Sequence, residues 1–459
     1  MKTHPATTSM SSLSFSQSPA NLWQRGLSSN LVRLTAWFAF QAALGYGCKL
    51  SSIVATAHAG LTLVIGLWAA LLSRKREHAI YAMAYVVGSE VLWRMANAQV
   101  FWEFGKYAVL AVALATVIRH GLFRHVGLPL TYFVLLLPSV VMPLANLNDL
   151  ALQQTVSFYL SGPLALAVCY WLGSNLQFSR DQVLQGCLFL LGPVVSIATM
   201  ALFSIVQAQE IFFGTSSNLQ ASGGYGPNQV SATLGLGMVA ALLYAILEKR
   251  DRWVKGLLAL IITWLAAQCL MTFSRTGLYL AVLSSFVGVM CLLRDQQARL
   301  KLIVAFVCIG SGLYFVTPVL EDFTQGALSK RFTNINSTGR DQLVLQELDI
   351  WGQHLIFGVG PGLSGQYRTG ELHGLMAHTE YSRLLAEHGL FGLFAIILLI
   401  ALGTQSVRHT RSPAQRALAL SLLCWSLLFM LTSAMRTAAP AFLFGLTAIQ
   451  WRKEPSTDQ

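Results

Sequence analysis

The chain has 459 residues, 54% of them hydrophobic and 11% charged, where a soluble domain carries about 25% charged residues. Apolar windows of about 20 residues recur along it, which excludes an ordinary soluble enzyme and identifies an all-α polytopic membrane protein. A β-barrel would show short alternating segments instead. The formal net charge of +12 sits mostly in short loops between apolar runs and reports topology, not nucleic-acid binding.

Residues 1–30 are polar and Ser/Thr-rich and read as a cytoplasmic tail, with the first span acting as an uncleaved signal. Apolar spans follow near 31–47, 52–73, 79–98, 105–119, 127–146, 156–174, 183–207, 229–247, 253–273, 276–293 and 301–318, then 389–406, 415–434 and 437–451. Some are short or closely spaced, so the expectation is 12–14 transmembrane helices across 31–318 and 389–452, with a cytoplasmic tail at 453–459. The seven cysteines lie in or beside apolar runs without a CxxC pair and read as small buried hydrophobes. No Walker loop, Rossmann fingerprint, HExxH or GxSxG occurs.

Basic residues fall in alternate loops: Arg74-Lys75-Arg76, Arg119 with Arg124, Arg180, Lys249-Arg250 with Arg252, Arg294 with Arg299 and Lys301, Arg408 with Arg411 and Arg416, and Arg452-Lys453. Those loops are expected in the cytoplasm. The opposite loops at 146–155 and 207–228 hold no Lys or Arg. The one long polar stretch, 319–388, then faces outward, into the periplasm of a bacterial inner membrane. That side holds no ATP or NADH, so an enzyme there needs a donor activated on the inner side and carried across.

Arg275, in Phe273-Ser274-Arg275-Thr276-Gly277, stands at an outer boundary where positive-inside bias disfavours arginine. It reads either as an arginine snorkelling to headgroups or as an anion clamp, since its planar fork matches phosphate oxygens and never deprotonates. Arg340 follows Ser337-Thr338-Gly339. Leu343, Val344, Leu348 and Ile350 suggest a helix starting near it, and a helix start with an arginine makes an anion site. The plain alternative is a surface pair with Asp341 or Glu347. His378 precedes a helical pattern in which it shares a face with Tyr381, Ser382 and Leu385, while Glu380, Arg383 and Glu387 can pair along another face. It reads as a general base or as a capping histidine, with His373 and His354 as neighbours. Gly358-Val359-Gly360-Pro361-Gly362 supplies turns, either for close approach to a substrate or to reverse the chain. Asn228, in Pro227-Asn228-Gln229, is a candidate N-cap. Glu90 and Arg94 lie one turn apart within an apolar run, and Lys106 and Arg436 add positive charge near the outer face.

Ser274-Arg275-Thr276-Gly277, Thr338-Gly339-Arg340, FGVGPG at 357–362, and His378 followed by Leu385, Glu387, Gly389 and Gly392 appear in the order that resembles the O-antigen ligase/polymerase superfamily of membrane glycosyltransferases. Pro227-Asn228-Gln229 resembles that family's loop. The residue after the histidine is Thr379, where Asn is common, and no Trp follows shortly after Arg340. The resemblance implies a GT-C-like fold with a helical periplasmic insert. It also implies inverting transfer without metal or cofactor, from an undecaprenyl-diphosphate-linked glycan to the lipid A-core oligosaccharide. Arg275 and Arg340 would hold the diphosphate and His378 would be the base, with Asn228, Tyr381 and Arg436 as further substrate contacts. A polymerase or a protein O-oligosaccharyltransferase of the same superfamily differs in acceptor. An anion transporter is the rival from a different class, and predicts charge along the midplane.

Overall fold

The computed structural model describes residues 29–142, 150–248, 251–293, 296–334 and 339–452. Most of both expected tails, Lys249-Arg250, Arg294, Thr338, Lys453 and part of the 146–155 loop lie outside the described residues. The chain is helical almost throughout: α1 Ser29–Leu50, α2 Ser52–Leu71, α3 Glu77–Met95, α4 Phe104–His120, α5 Gly127–Val134, α6 Leu150–Ser174, α7 Arg180–Val206, α8 Pro227–Leu247, α9 Arg252–Met271 and α10 Arg275–Leu292. Then come α11 Gln296–Phe323, α12 Ala327–Thr333, α13 Arg340–Gln353, α14 Glu380–Arg408, α15 Pro413–Ser433 and α16 Ala439–Ala448. Among the described residues, nine helices are long and apolar enough to cross a membrane. The chain is an all-α polytopic membrane protein.

Some of the expected spans differ in form from the described helices. The run at 127–146 is not one described helix: α5 stops at Val134, and Pro138 opens a separate turn of 3₁₀-helix through Val141. The run at 437–451 contains only the ten residues of α16, about 15 Å of helix, before an extended pair of residues. Helix α3 has span-like length, but Glu77, Glu90 and Arg94 dilute its apolar character.

Helix α8 is the centre of the bundle, with 94% of its apolar window buried, whereas only 6% of the window of α11 is. Lipid tails are as apolar as leucine, so helices in a bilayer associate through close packing and not through exclusion of water. Small residues make that packing possible. A Cβ on Gly277 of α10 would stand 1.9 Å from the Ser231 carbonyl oxygen of α8, and one on Gly235 of α8 would stand 2.4 Å from the Gly277 carbonyl oxygen. At the end of the bundle carrying the basic loops, β1 (Gln177–Phe178) pairs in parallel with β2 (Gln450–Trp451), tying the turn after α6 to the segment after α16.

Gly277→Ala is expected to destabilise the protein by about 1–3 kcal/mol, since neither backbone can yield to the added methyl. A lowered thermal unfolding midpoint in detergent checks this.

Candidate functional site

The loop between α9 and α10 is locked from three directions. Phe273 adopts φ +54°, is fully buried, and stacks on Phe213 at 5.1 Å. The Ser274 hydroxyl donates to Asn228 Oδ1 (2.8 Å), and the Ser231 hydroxyl donates to the Ser274 carbonyl (3.0 Å) while accepting from the Gly277 amide (2.8 Å). Arg275 is thereby fixed as the first residue of α10, half-buried, and its guanidinium donates to the Asn334 carbonyl. Asn228 is not the N-cap it was expected to be. Gly226 occupies that position and Pro227 opens α8, so the Asn228 side chain is free to hold the turn before Arg275.

Arg340 repeats the arrangement. Gly339, at φ +79°, precedes α13, and Arg340 is the first helical residue, as the apolar spacing suggested. Two arginines thus stand at two helix N-termini, where the helix dipole favours an anion. Arg331 of α12 joins the two regions, donating to the Phe273 carbonyl (2.8 Å) and to the Thr215 carbonyl (2.6 Å).

His378 sits just outside α14, since Thr379 is the N-cap and accepts from the Tyr381 amide. It does not share the helical face expected for it. The Tyr381 hydroxyl donates to the Leu427 carbonyl of α15 (2.9 Å), and the Ser382 hydroxyl donates to Glu347. Arg436 is brought to the histidine instead, donating to the Ala377 carbonyl at 2.9 Å. The segment carrying Arg436, between α15 and α16, is held by buried carboxylates. Glu380 accepts from the Met435 amide (3.1 Å), Glu90 accepts from the Ala438 amide (2.7 Å), and Arg94 donates to the Arg436 carbonyl (3.1 Å). The Glu90–Arg94 ion pair, at 2.5 Å, is therefore part of the scaffold that presents Arg436.

The charges reach one another. Arg340 is shifted below its ordinary value by burial and then by Arg275 and Arg436, and Arg331 by burial and then by Arg275 and Arg340. Burial first, then Arg436, Arg340 and Arg368, lowers the pKa of His378 to about 4. His378 is neutral at neutral pH, with a lone pair ready to accept a proton. The acidic groups nearby are already engaged. Glu347 pairs with Arg368, not with Arg340, and Glu380 and Glu387 both grip Arg383. Among the described residues Arg340 and Arg436 have no carboxylate partner, and no trio of His, Cys, Asp or Glu is placed to hold a metal.

The glycine turn serves protein structure. Val359 and Gly360 donate to the Ala386 and Glu387 carbonyls (3.0 Å each), where α14 breaks at Gly389 (φ 60°, ψ −134°). The Leu390 amide turns back to the Leu355 carbonyl (2.7 Å). The glycines admit close approach of backbone to backbone, so the chain-reversal reading holds. Arg331 and Arg368 escaped the sequence reading because most of what they grip is distant in sequence, from Thr215 to Glu347.

Residues 260–397 match the family model described as O-antigen ligase. The match spans Arg275, Arg340, the glycine turn and His378, but not Asn228 or Arg436. No curated protein matches the chain.

Arg383→Met leaves Glu380 and Glu387 buried without their cation. It is expected to cost about 3–5 kcal/mol, read as a loss of folded protein by thermal unfolding and size-exclusion chromatography.

Proposed function

We propose that this chain, which belongs to the O-antigen ligase superfamily, transfers a glycan from undecaprenyl diphosphate to a sugar hydroxyl of the lipid A-core oligosaccharide, at the periplasmic face of the bacterial inner membrane. The observation that carries this reading is the meeting of Arg340 and Arg436 beside the neutral His378, with Arg275 next to Arg340. A diphosphate is the leaving group such a site suits, because guanidinium forks match its oxygens and Arg275 and Arg340 each open a helix.

In the reaction, His378 takes the proton of the acceptor hydroxyl as that oxygen bonds to the anomeric carbon. The bond from the anomeric carbon to the diphosphate oxygen breaks, and its electron pair leaves with the diphosphate. Arg275 and Arg340 meet the developing charge, and Arg436 adds to the field beside the histidine. Attack opposite the leaving group inverts the anomeric centre. Asn228 supports Arg275 through Ser274, and Tyr381 anchors the start of α14, which supports a positioning role for both. The chain's own arginines carry the charge neutralisation this reading requires.

Purified protein, donor lipid and lipid A-core, with neither ATP nor added metal, are expected to yield lipid A-core bearing the glycan. Elongation of donor glycan with no transfer to lipid A-core makes the protein a polymerase, and no transfer at all overturns the reading. His378→Ala and Arg340→Ala are each expected to lower kcat by at least about 100-fold. Because burial and the neighbouring arginines lower the pKa of His378 to about 4 in the substrate-free protein, kcat/KM is expected to stay level from pH 7 to about pH 5 and to fall only around pH 4. A limb near 6.5 removes His378 as the base.

A further inference from the structure

Beside the Arg436 segment, the loop joining α3 to α4 forms a pocket of about 220 Å³. Trp93, Phe101, Trp102 and Phe104 contribute aromatic wall, and Arg94 and Asn97 contribute polar groups. We infer that this pocket is an acceptor subsite that binds one saccharide ring of the oligosaccharide presented to His378. This inference rests on the glycosyl-transfer reading above and adds to it where the acceptor is held.

Three observations carry it. The chemistry of the lining is that of a sugar site, with flat apolar ring faces for the C–H faces of a pyranose and a few fixed polar groups for its hydroxyls. Trp102 and Phe101 are 52% and 55% exposed, so their faces are available, while Trp93 behind them is buried.

The pocket is also rigid before anything enters it. Trp93 meets Phe104 edge-on at 5.5 Å, Phe101 meets Phe104 at 5.7 Å, and the Gln99 amide donates to Thr56 of α2 at 2.8 Å. Arg94 lies under the Trp102 ring at 4.9 Å and is fixed by Gln229 (3.0 Å), yet its buried Nε has no hydrogen-bond partner. A wall already in place costs little to organise on binding.

The position is the third observation. Two hydrogen bonds lead from the pocket to the histidine: Arg94 donates to the Arg436 carbonyl, and Arg436 donates to the carbonyl of Ala377, the residue before His378. The pocket is thus joined through Arg94 and Arg436 to the backbone next to the histidine. A sugar stacked on Trp102 would bring an attached hydroxyl toward His378.

The test uses the full chain in lipid nanodiscs and two probes: core oligosaccharide released from lipid A by mild acid, and intact lipid A-core in the transfer assay. Trp102→Ala is compared with Phe212→Ala, which removes a 90% exposed aromatic outside the pocket. Calorimetric titration is expected to show binding of the free oligosaccharide by the unaltered chain. Trp102→Ala should weaken it roughly tenfold, the loss of about one aromatic stacking contact, and Phe212→Ala should leave it unchanged. In the transfer assay the Trp102→Ala defect should appear in KM for the acceptor and not in kcat, with Trp102→Phe restoring most of it. Equal behaviour of Trp102→Ala and Phe212→Ala, or no binding by the unaltered chain, overturns the subsite and makes Trp102 an interfacial anchor. A chain that transfers no glycan overturns the reaction instead, and the titration still decides the pocket.

Discussion

The buried guanidinium of Arg383 between Glu380 and Glu387 is the contact on which the rest of this end of the molecule depends. A charge so far from water persists only when paired and hydrogen-bonded. Each carboxylate also uses a remaining lone pair on another segment. Glu380 receives the Met435 amide and so holds the loop of Arg436, and Glu387 receives the Ser364 hydroxyl and so holds the turn that follows the glycine-rich stretch. The first two turns of α14 thereby fix both the histidine before them and the arginine opposite.

The same economy explains why the site is so positive. Glu347, Glu380 and Glu387 are committed to Arg368 and Arg383, and burial, then the neighbouring arginines, lowers the proton affinity of Arg340 and Arg331. Crowded like charges are unfavourable in a poorly solvated setting. An entering diphosphate relieves that repulsion, so part of the attraction is stored in the fold before the substrate arrives.

Much of this was legible in the sequence, for physical reasons. Apolar runs must be helices in a bilayer, because backbone groups have no other partners there, and the spacing of Glu380, Arg383 and Glu387 forces them onto one face. Arg275 could be singled out because an arginine at an expected outer boundary needs an explanation, and Arg340 because the apolar spacing starts a helix at it. What failed were claims that depend on partners distant in sequence. Asn228 looked like a cap, but Gly226 and Pro227 start the helix and Ser274 claims the side chain. The glycine turn could be read as a ligand loop or as a chain reversal, and the choice rests on the Ala386 and Glu387 carbonyls beside the break at Gly389. The role of Glu90 rests on the Ala438 amide, 348 positions away.

Helix α11 has a consequence of its own. Only 6% of its apolar window is buried, yet it joins α10, which begins with Arg275, to the segment that carries Arg331 and Arg340. With so few neighbours to fit, its side chains answer chiefly to the bilayer, and one aliphatic residue there can replace another at little cost. Its length has no such freedom. One residue added or removed would turn everything beyond it by about 100° and shift it by about 1.5 Å, misaligning Arg331 with the two carbonyls it reaches. The segment is permissive in spelling and strict in count, a ruler between the two halves of the arginine pair.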